Sequence, residues 1–215
     1  TGGAVHARHA LLAMNLNGGG GMEIWQFTSR KSARQHSFSL LQNGLLVTKI
    51  KCRDAKLGLE SVADNATSAV VLDPTAKPSF SVIDPFGNPF IAAESDDWFQ
   101  KKHSLFGGIE GVIIGVSDME RSLKFYREVL EIDKIIFDQE AVFEDLKGLK
   151  DGDQKFRRVR ISPSNRNTGA FSEVFGMFHI DLLQPLEVPS LAHNLENRFW
   201  GDPGFIHLCF DVNAM

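Results

Sequence analysis

The side chains able to do chemistry are few and widely spaced. His179 and Asp181 interrupt an otherwise apolar strand pattern, with Phe178, Ile180, Leu182 and Leu183 around them. Strand residues alternate faces, so His179 and Asp181 share one face. An inward carboxylate is costly unless it is paired or bound to metal. The pair therefore reads as an ion pair in a polar cavity, as metal- or substrate-binding groups, or as a catalytic proton relay in which the carboxylate raises the imidazole's basicity. His207 and Cys209 stand in the same relation within Gly204-Phe-Ile-His-Leu-Cys-Phe-Asp-Val212. There the imidazole is a hydrogen-bonded strand histidine or a ligand, and the thiol is a small hydrophobe or a substrate contact. Glu23, in Met22-Glu-Ile-Trp-Gln, is an edge carboxylate satisfied by water or a further ligand. Arg157, Arg158 and Arg160 form a basic cluster, either a solvated strand edge or a grip on an anionic substrate group, with Arg158 as the substrate contact. His6 and His9 are three apart and face opposite sides of a strand. Gly18 to Gly21 lack the following Gly-Lys-Ser/Thr of a phosphate loop, so they read as a hairpin turn and no nucleotide cofactor is expected. Trp25, Trp98 and Trp200 are expected in the core or a cavity wall.

The elements that must position these groups come from a repeat. Gly44 to Cys52, Gly108 to Val116 and Gly204 to Val212 align without gaps, each a β-branched and aromatic alternation opened by Gly. After the first two an acid follows two residues on (Asp54, Asp118) and a helical pattern begins. Ser117-Asp-Met-Glu120 has the form of a capping box, and Met119, Leu123, Tyr126 and Leu130 make one apolar stripe. The weaker copy predicts a helix over 55–63 and a strand over 68–72. Asp84-Pro-Phe-Gly-Asn is a tight turn between strands 79–83 and 89–93. Strands over 133–137, 155–161 and 177–183 complete the next copy. Two full modules thus read strand, helix, strand, strand, strand. Residues 1–30 supply only the end of a module (strands 5–14 and 22–27), and the last twelve only a beginning, so flanking residues are expected in the natural protein.

Bulk properties narrow the class. The 215 residues carry 23 Lys+Arg against 27 Asp+Glu, a net charge of −4, which argues against a broad grip on nucleic acid. With 43% hydrophobic residues the chain can bury a core. Apolar runs such as Val112-Ile113-Ile114 fall far below the roughly 20 residues of a membrane span, and no signal-peptide pattern is present. Cysteine occurs twice, too seldom for a disulfide framework, which points to a reducing, cytoplasmic setting.

The run Gly111-Val-Ile-Ile-Gly-Val-Ser-Asp-Met-Glu-Arg-Ser-Leu-Lys-Phe-Tyr-Arg-Glu-Val-Leu resembles the opening strand and helix of the vicinal oxygen chelate superfamily, which includes the glyoxalase, epimerase, bleomycin-resistance and extradiol dioxygenase families. Asp84-Pro-Phe-Gly-Asn is similar to the turn before that fold's fourth strand. Met22-Glu-Ile-Trp-Gln and His179-Ile-Asp-Leu-Leu-Gln-Pro-Leu are similar to the fourth strand itself. The resemblance implies an α+β fold of repeated βαβββ modules, pairing into curved, cup-like mixed sheets with helices outside. On this basis residues 1–98 are a first module pair with its first module partial, 99–106 a linker, and 107–215 a second pair with its last module truncated.

The resemblance also implies a divalent metal (Zn, Ni, Fe or Mn) inside a cup, held by an imidazole or amide from a first strand and a carboxylate from a fourth, and acting as a Lewis acid on a substrate's adjacent oxygens. The first-strand positions fall on Val47, Gly111 and His207, and the fourth-strand positions on Glu23, Ile91 and Asp181. The expected centre is in the second pair, where His207 and Asp181 hold the metal with a carboxylate beyond residue 215. Glu23 is the one competent position visible in the first pair. The implied activity is that of a glyoxalase- or epimerase-like enzyme, a lyase or isomerase, on a small oxygen-bearing metabolite. The alternative is metal-free sequestration of a small molecule, as in bleomycin resistance. Ring-cleaving dioxygenase chemistry is weakened by Gly111, which stands where that family has a histidine. An incomplete terminal module fits exchange with a second copy in a homodimer.

Overall fold

In a computed structural model the chain is described over residues 5–29, 38–100, 104–165, 169–189, 192–196, 198–199 and 201–210. Arg8–Met14 (β1) and Gly21–Phe27 (β2) form an antiparallel hairpin, in register from Arg8↔Phe27 to Met14↔Gly21. The turn between them is closed by the Asn15 carboxamide, whose Oδ1 accepts from the amides of Asn17 (3.0 Å) and Gly18 (2.8 Å).

The first complete module runs Gly44–Cys52 (β3), Ala55–Ser61 (α1), Val71–Leu72 (β4), Pro78–Ile83 (β5) and Pro89–Glu94 (β6). The second runs Phe106–Gly115 (β7), Met119–Leu130 (α2), Lys134–Ala141 (β8), Phe156–Ser162 (β9), the short helix Ser172–Phe175 (α3) and His179–Pro185 (β10). The acid two residues past each opening strand caps the helix. Asp54 Oδ1 accepts from the Leu57 amide at 2.9 Å and Asp118 Oδ1 from the Arg121 amide at 3.0 Å. Ser117 therefore sits just outside the cap, and Glu120 turns away to accept from Arg157 at 2.7 Å. The expected capping box does not form.

Within each module the first strand lies parallel to the fourth, giving the orders β3-β6-β5-β4 and β7-β10-β9-β8. Each first strand then has one edge left, and an unpaired edge is a liability. β3 and β7 satisfy each other by pairing antiparallel, from Gly44↔Gly115 to Cys52↔Phe106, with register shifts along the way. The result is a single eight-stranded sheet. The two complete modules therefore pair with one another in this sheet, where the sequence reading pairs each with its partial neighbour. Residues 205–210, expected to open a further strand, carry no regular structure; 211 and 212 lie outside the described residues.

Alternation along the strands sorts the side chains onto two faces. On the convex face Val112, Val159, Ile161, Ile180 and Leu182 pack beneath α2, with its Met119, Leu123, Tyr126 and Leu130. Cys52, Phe80 and Ala92 pack beneath α1. On the concave face Val47, Ile91, Ile113 and Leu183 meet Phe143, Leu146 and Leu149 from the segment between β8 and β9, which folds into the hollow. Trp25 and Trp98 are half-buried platforms rather than core: Arg8 lies 3.8 Å over the first ring and Arg53 4.0 Å over the second. Trp200 lies outside the described residues. No helix among the described residues is long and apolar enough to cross a membrane.

Candidate metal centre

Joining the two complete modules brings four sequence-assigned ligand positions, Val47, Ile91, Gly111 and Asp181, onto one concave face. Val47 and Ile91 are wholly buried in the apolar cluster. A Cβ on Gly111 would meet the His179 carbonyl at 2.4 Å and its ring at 2.7 and 2.9 Å, so the His179 imidazole lies where a residue-111 side chain would go. Asp181 is 0% exposed and ligated by guanidinium groups. Its Oδ2 accepts from Arg158 Nε (2.9 Å), Arg158 Nη2 (2.6 Å) and Arg160 Nη2 (3.0 Å), and its Oδ1 from Arg160 Nε (2.7 Å). Lys49 Nζ adds a third cation 3.7 Å away. Burial works to raise the Asp181 pKa, yet Lys49, Arg158 and Arg160 together hold it well below the usual carboxylate range.

The expected roles on this face are corrected accordingly. Asp181 is the counter-ion of three cations, which would repel a metal ion placed beside it. Arg158 is fully buried, and its three guanidinium nitrogens are spent on Asp181 and, at 2.8 Å to both oxygens, on Asp145; it does not reach a substrate. His179 is not paired with Asp181: its Nδ1 faces Glu110 Oε1 at 3.8 Å. Burial, then Lys49 and Arg160, push the imidazole well below its ordinary pKa, and burial pushes Glu110 up. Arg160 also pairs with Asp73 at 3.0 Å. The face is thus a closed ionic core of Lys49, Arg158 and Arg160 against Asp73, Asp145 and Asp181. Of its members, Lys49, Asp73 and Asp145 are ones that the sequence reading does not name. The available signal was spacing: Arg158 and Arg160 alternate on one strand, and Arg160 stands opposite Asp181 on the next.

The two remaining competent positions come together elsewhere. Glu23, on β2, and His207, in the segment 205–210, are 184 residues apart in sequence, with His207 Nε2 3.4 Å from Glu23 Oε2. Cys209 Sγ is 3.7 Å from the same oxygen. His207 is therefore brought to Glu23, and not to Asp181 as expected. The Trp25 ring stands edge-on to the imidazole, centroids 5.4 Å apart. Two supports fix this geometry. The hairpin is held to the sheet by Lys51, whose Nζ donates to Gly18 O (2.8 Å) and Asp97 O (2.6 Å), and by glycine contacts so close that a Cβ on Gly18 would lie 2.4 Å from Gly107 Cα. The 205–210 segment is held by Leu208, which packs against the convex apolar layer, and by Phe210, 5.6 Å from the Phe178 ring.

The donor set fits a divalent ion. With metal–N of about 2.0–2.1 Å and metal–O of about 2.0–2.2 Å, a tetrahedral edge between the two atoms is about 3.4 Å. That is the observed Nε2–Oε2 separation of 3.4 Å. Side-chain exposures of 35% for His207 and 41% for Glu23 leave solvent and ligands a way in.

No family model matches the chain, and no curated protein matches it in sequence. Solved structures do. A glyoxalase I variant from Zea mays superposes with a TM-score of 0.50 at 14% identity, over 79% of this chain and 51% of that one. A methylmalonyl-CoA epimerase from Mycobacterium tuberculosis gives a TM-score of 0.36 at 14% identity, over 71% of this chain and 93% of that one. This chain spans about half the length of the maize protein it matches. Two βαβββ modules joined through their first strands, with the helices outside and a match to glyoxalase I, give this chain an α+β, cup-like, glyoxalase-like fold.

Proposed function

We propose that the chain is a metal-dependent enzyme of glyoxalase or epimerase type, acting on a small oxygen-bearing metabolite at a divalent ion held by Glu23 and His207. The observation that carries this reading is the 3.4 Å approach of those two side chains, both at ligand positions of the repeat. A bound ion would supply a Lewis acid for two adjacent substrate oxygens. Glu23 and His207 would hold it, with the Trp25 ring as one wall beside the imidazole. The site sits between the hairpin and the 205–210 segment, outside the eight-stranded cup. The proposed setting is cytoplasmic, and the proposed assembly is a homodimer. Sequestration in an apolar hollow has less support, because Phe143, Leu146, Leu149 and the ionic core take up the interior of the cup.

Metal analysis of purified protein tests the proposal. One transition-metal ion per chain is expected, lost in Glu23→Ala and in His207→Ala while both variants keep their far-ultraviolet circular dichroism. A chain that takes up no ion from metal-supplemented medium, or keeps it in both variants, overturns the reading.

A further inference from the structure

The thiol beside this pair has a place in the same geometry. Residues 205–210 are extended enough that neighbours alternate: Leu208 and Phe210 turn to the convex apolar layer, while His207 and Cys209 turn to Glu23. Donor atoms of Glu23, His207 and Cys209 all lie within 4.8 Å of one another. The edge lengths bear on coordination directly. With metal–S of about 2.3 Å and metal–O of about 2.0–2.2 Å, a tetrahedral S–O edge is about 3.6 Å. The Cys209 Sγ to Glu23 Oε2 distance is 3.7 Å.

We propose that Cys209 is a third protein ligand, so that Glu23, His207 and Cys209 form one carboxylate–imidazole–thiolate centre selective for a thiophilic divalent ion such as Zn2+. This rests on the reading that Glu23 and His207 hold a metal, and adds to it the identity of the ion. A thiolate favours Zn2+ or Co2+ over the hard ions Mg2+, Ca2+ and Mn2+, which prefer all-oxygen surroundings. Three protein ligands also leave a tetrahedral ion one position for substrate, and expansion to five-coordination admits a second oxygen. The other cysteine is no competitor, since Cys52 is 0% exposed beneath α1.

Cobalt titration of the purified chain decides it. Co2+ is expected to bind one per chain with a near-ultraviolet sulfur-to-metal charge-transfer band, present in Cys52→Ser and absent in Cys209→Ser. Zn2+ affinity in Cys209→Ser should fall by about 100-fold or more, at or beyond the upper end of what losing a mere outer-shell partner costs. Zn2+ should also slow iodoacetamide modification of Cys209 in the wild type but not in Glu23→Gln. Stoichiometric Co2+ binding without the band, at equal affinity in Cys209→Ser, overturns the thiolate ligand and leaves the Glu23–His207 site standing. No metal uptake by the wild type removes both.

Discussion

Substituting Asp181 with Asn separates the two roles this carboxylate could have. In the structure it is a counter-ion: one buried charge among Lys49, Arg158 and Arg160, balanced together with Asp73 and Asp145. Asn is nearly isosteric, so shape is kept while one negative charge is lost, and three cations then face two carboxylates. Removing one partner of a buried ion pair costs about 3–5 kcal/mol, because the charge left behind remains desolvated. For a chain of this size each kcal/mol lowers the melting temperature by about 2–4 °C, so the drop should be about 6–20 °C. Thermal denaturation followed by circular dichroism measures it, with metal content measured alongside. The metal bound per folded chain should be unchanged. If Asp181→Asn melts with the wild type and loses its ion, the carboxylate is a ligand and the counter-ion argument is wrong.

Two further outcomes follow from buried His179 and from the tight contact at Gly108. His179, held well below its ordinary pKa by burial and by Lys49 and Arg160, refuses a proton that the unfolded chain takes up below about pH 6.5. Wild-type stability should therefore fall on acidification below that point, with this residue contributing up to about 1.4 kcal/mol per pH unit, while Glu110, whose pKa is raised, works in the opposite direction below its folded value. Urea denaturation of His179→Phe between pH 6.5 and 5 should show a shallower slope, and equal slopes would remove the assignment. A Cβ on Gly108 would lie 1.8 Å from the Gly19 carbonyl oxygen, so Gly108→Ala must push the hairpin off β7 at a cost of about 1–3 kcal/mol. Limited proteolysis should then cut within residues 15–29 faster than in the wild type, with weakened metal binding as Glu23 moves. Unchanged cleavage would show that the hairpin is not positioned by this contact.

Local order was legible in the sequence, and long-range pairing was not. The strand at Gly44–Cys52, the helix after Asp118 and the turn at Asp84 are each written in residues a few positions apart. Their alternation, cap and turn chemistry act locally, whatever the partner. Which modules share a sheet depends on which free edge meets which, and the edges of β3 and β7 carry no sequence label; this is why their pairing is not written in the local pattern. The same non-local choice decided the candidate site. Once β3 pairs with β7, Asp181 is committed to the closed cup with Val47, Ile91 and Gly111, and Glu23 and His207 are left to one another. Lys49 and Lys51 were hidden differently. In the run Leu-Leu-Val-Thr-Lys-Ile-Lys-Cys they look like the solvent face of an edge strand, yet side-chain exposure is 1% for each. Partners distant in sequence make that burial tolerable: the carboxylates of Asp73 and Asp181 for Lys49, and the carbonyls of Gly18 and Asp97 with the Asp97 carboxylate for Lys51.

The two halves of the architecture then serve one geometry. A carboxylate in a low-dielectric interior needs positive charge beside it, and a metal ion or a guanidinium pair can supply it. Both at once would repel, so Arg158 and Arg160 commit Asp181 to a rigid role. Rigidity is what the exposed pair requires, because a hairpin alone is marginally stable in water. Lys51 reaches from the concave face to Gly18 and fixes the hairpin that carries Glu23. Leu208 and Phe210 use the convex face to fix the segment that carries His207. The donor spacing is thus set by contacts on opposite faces of the same sheet. Disturbing either face should shift the spacing between Glu23 and His207 without touching a donor atom.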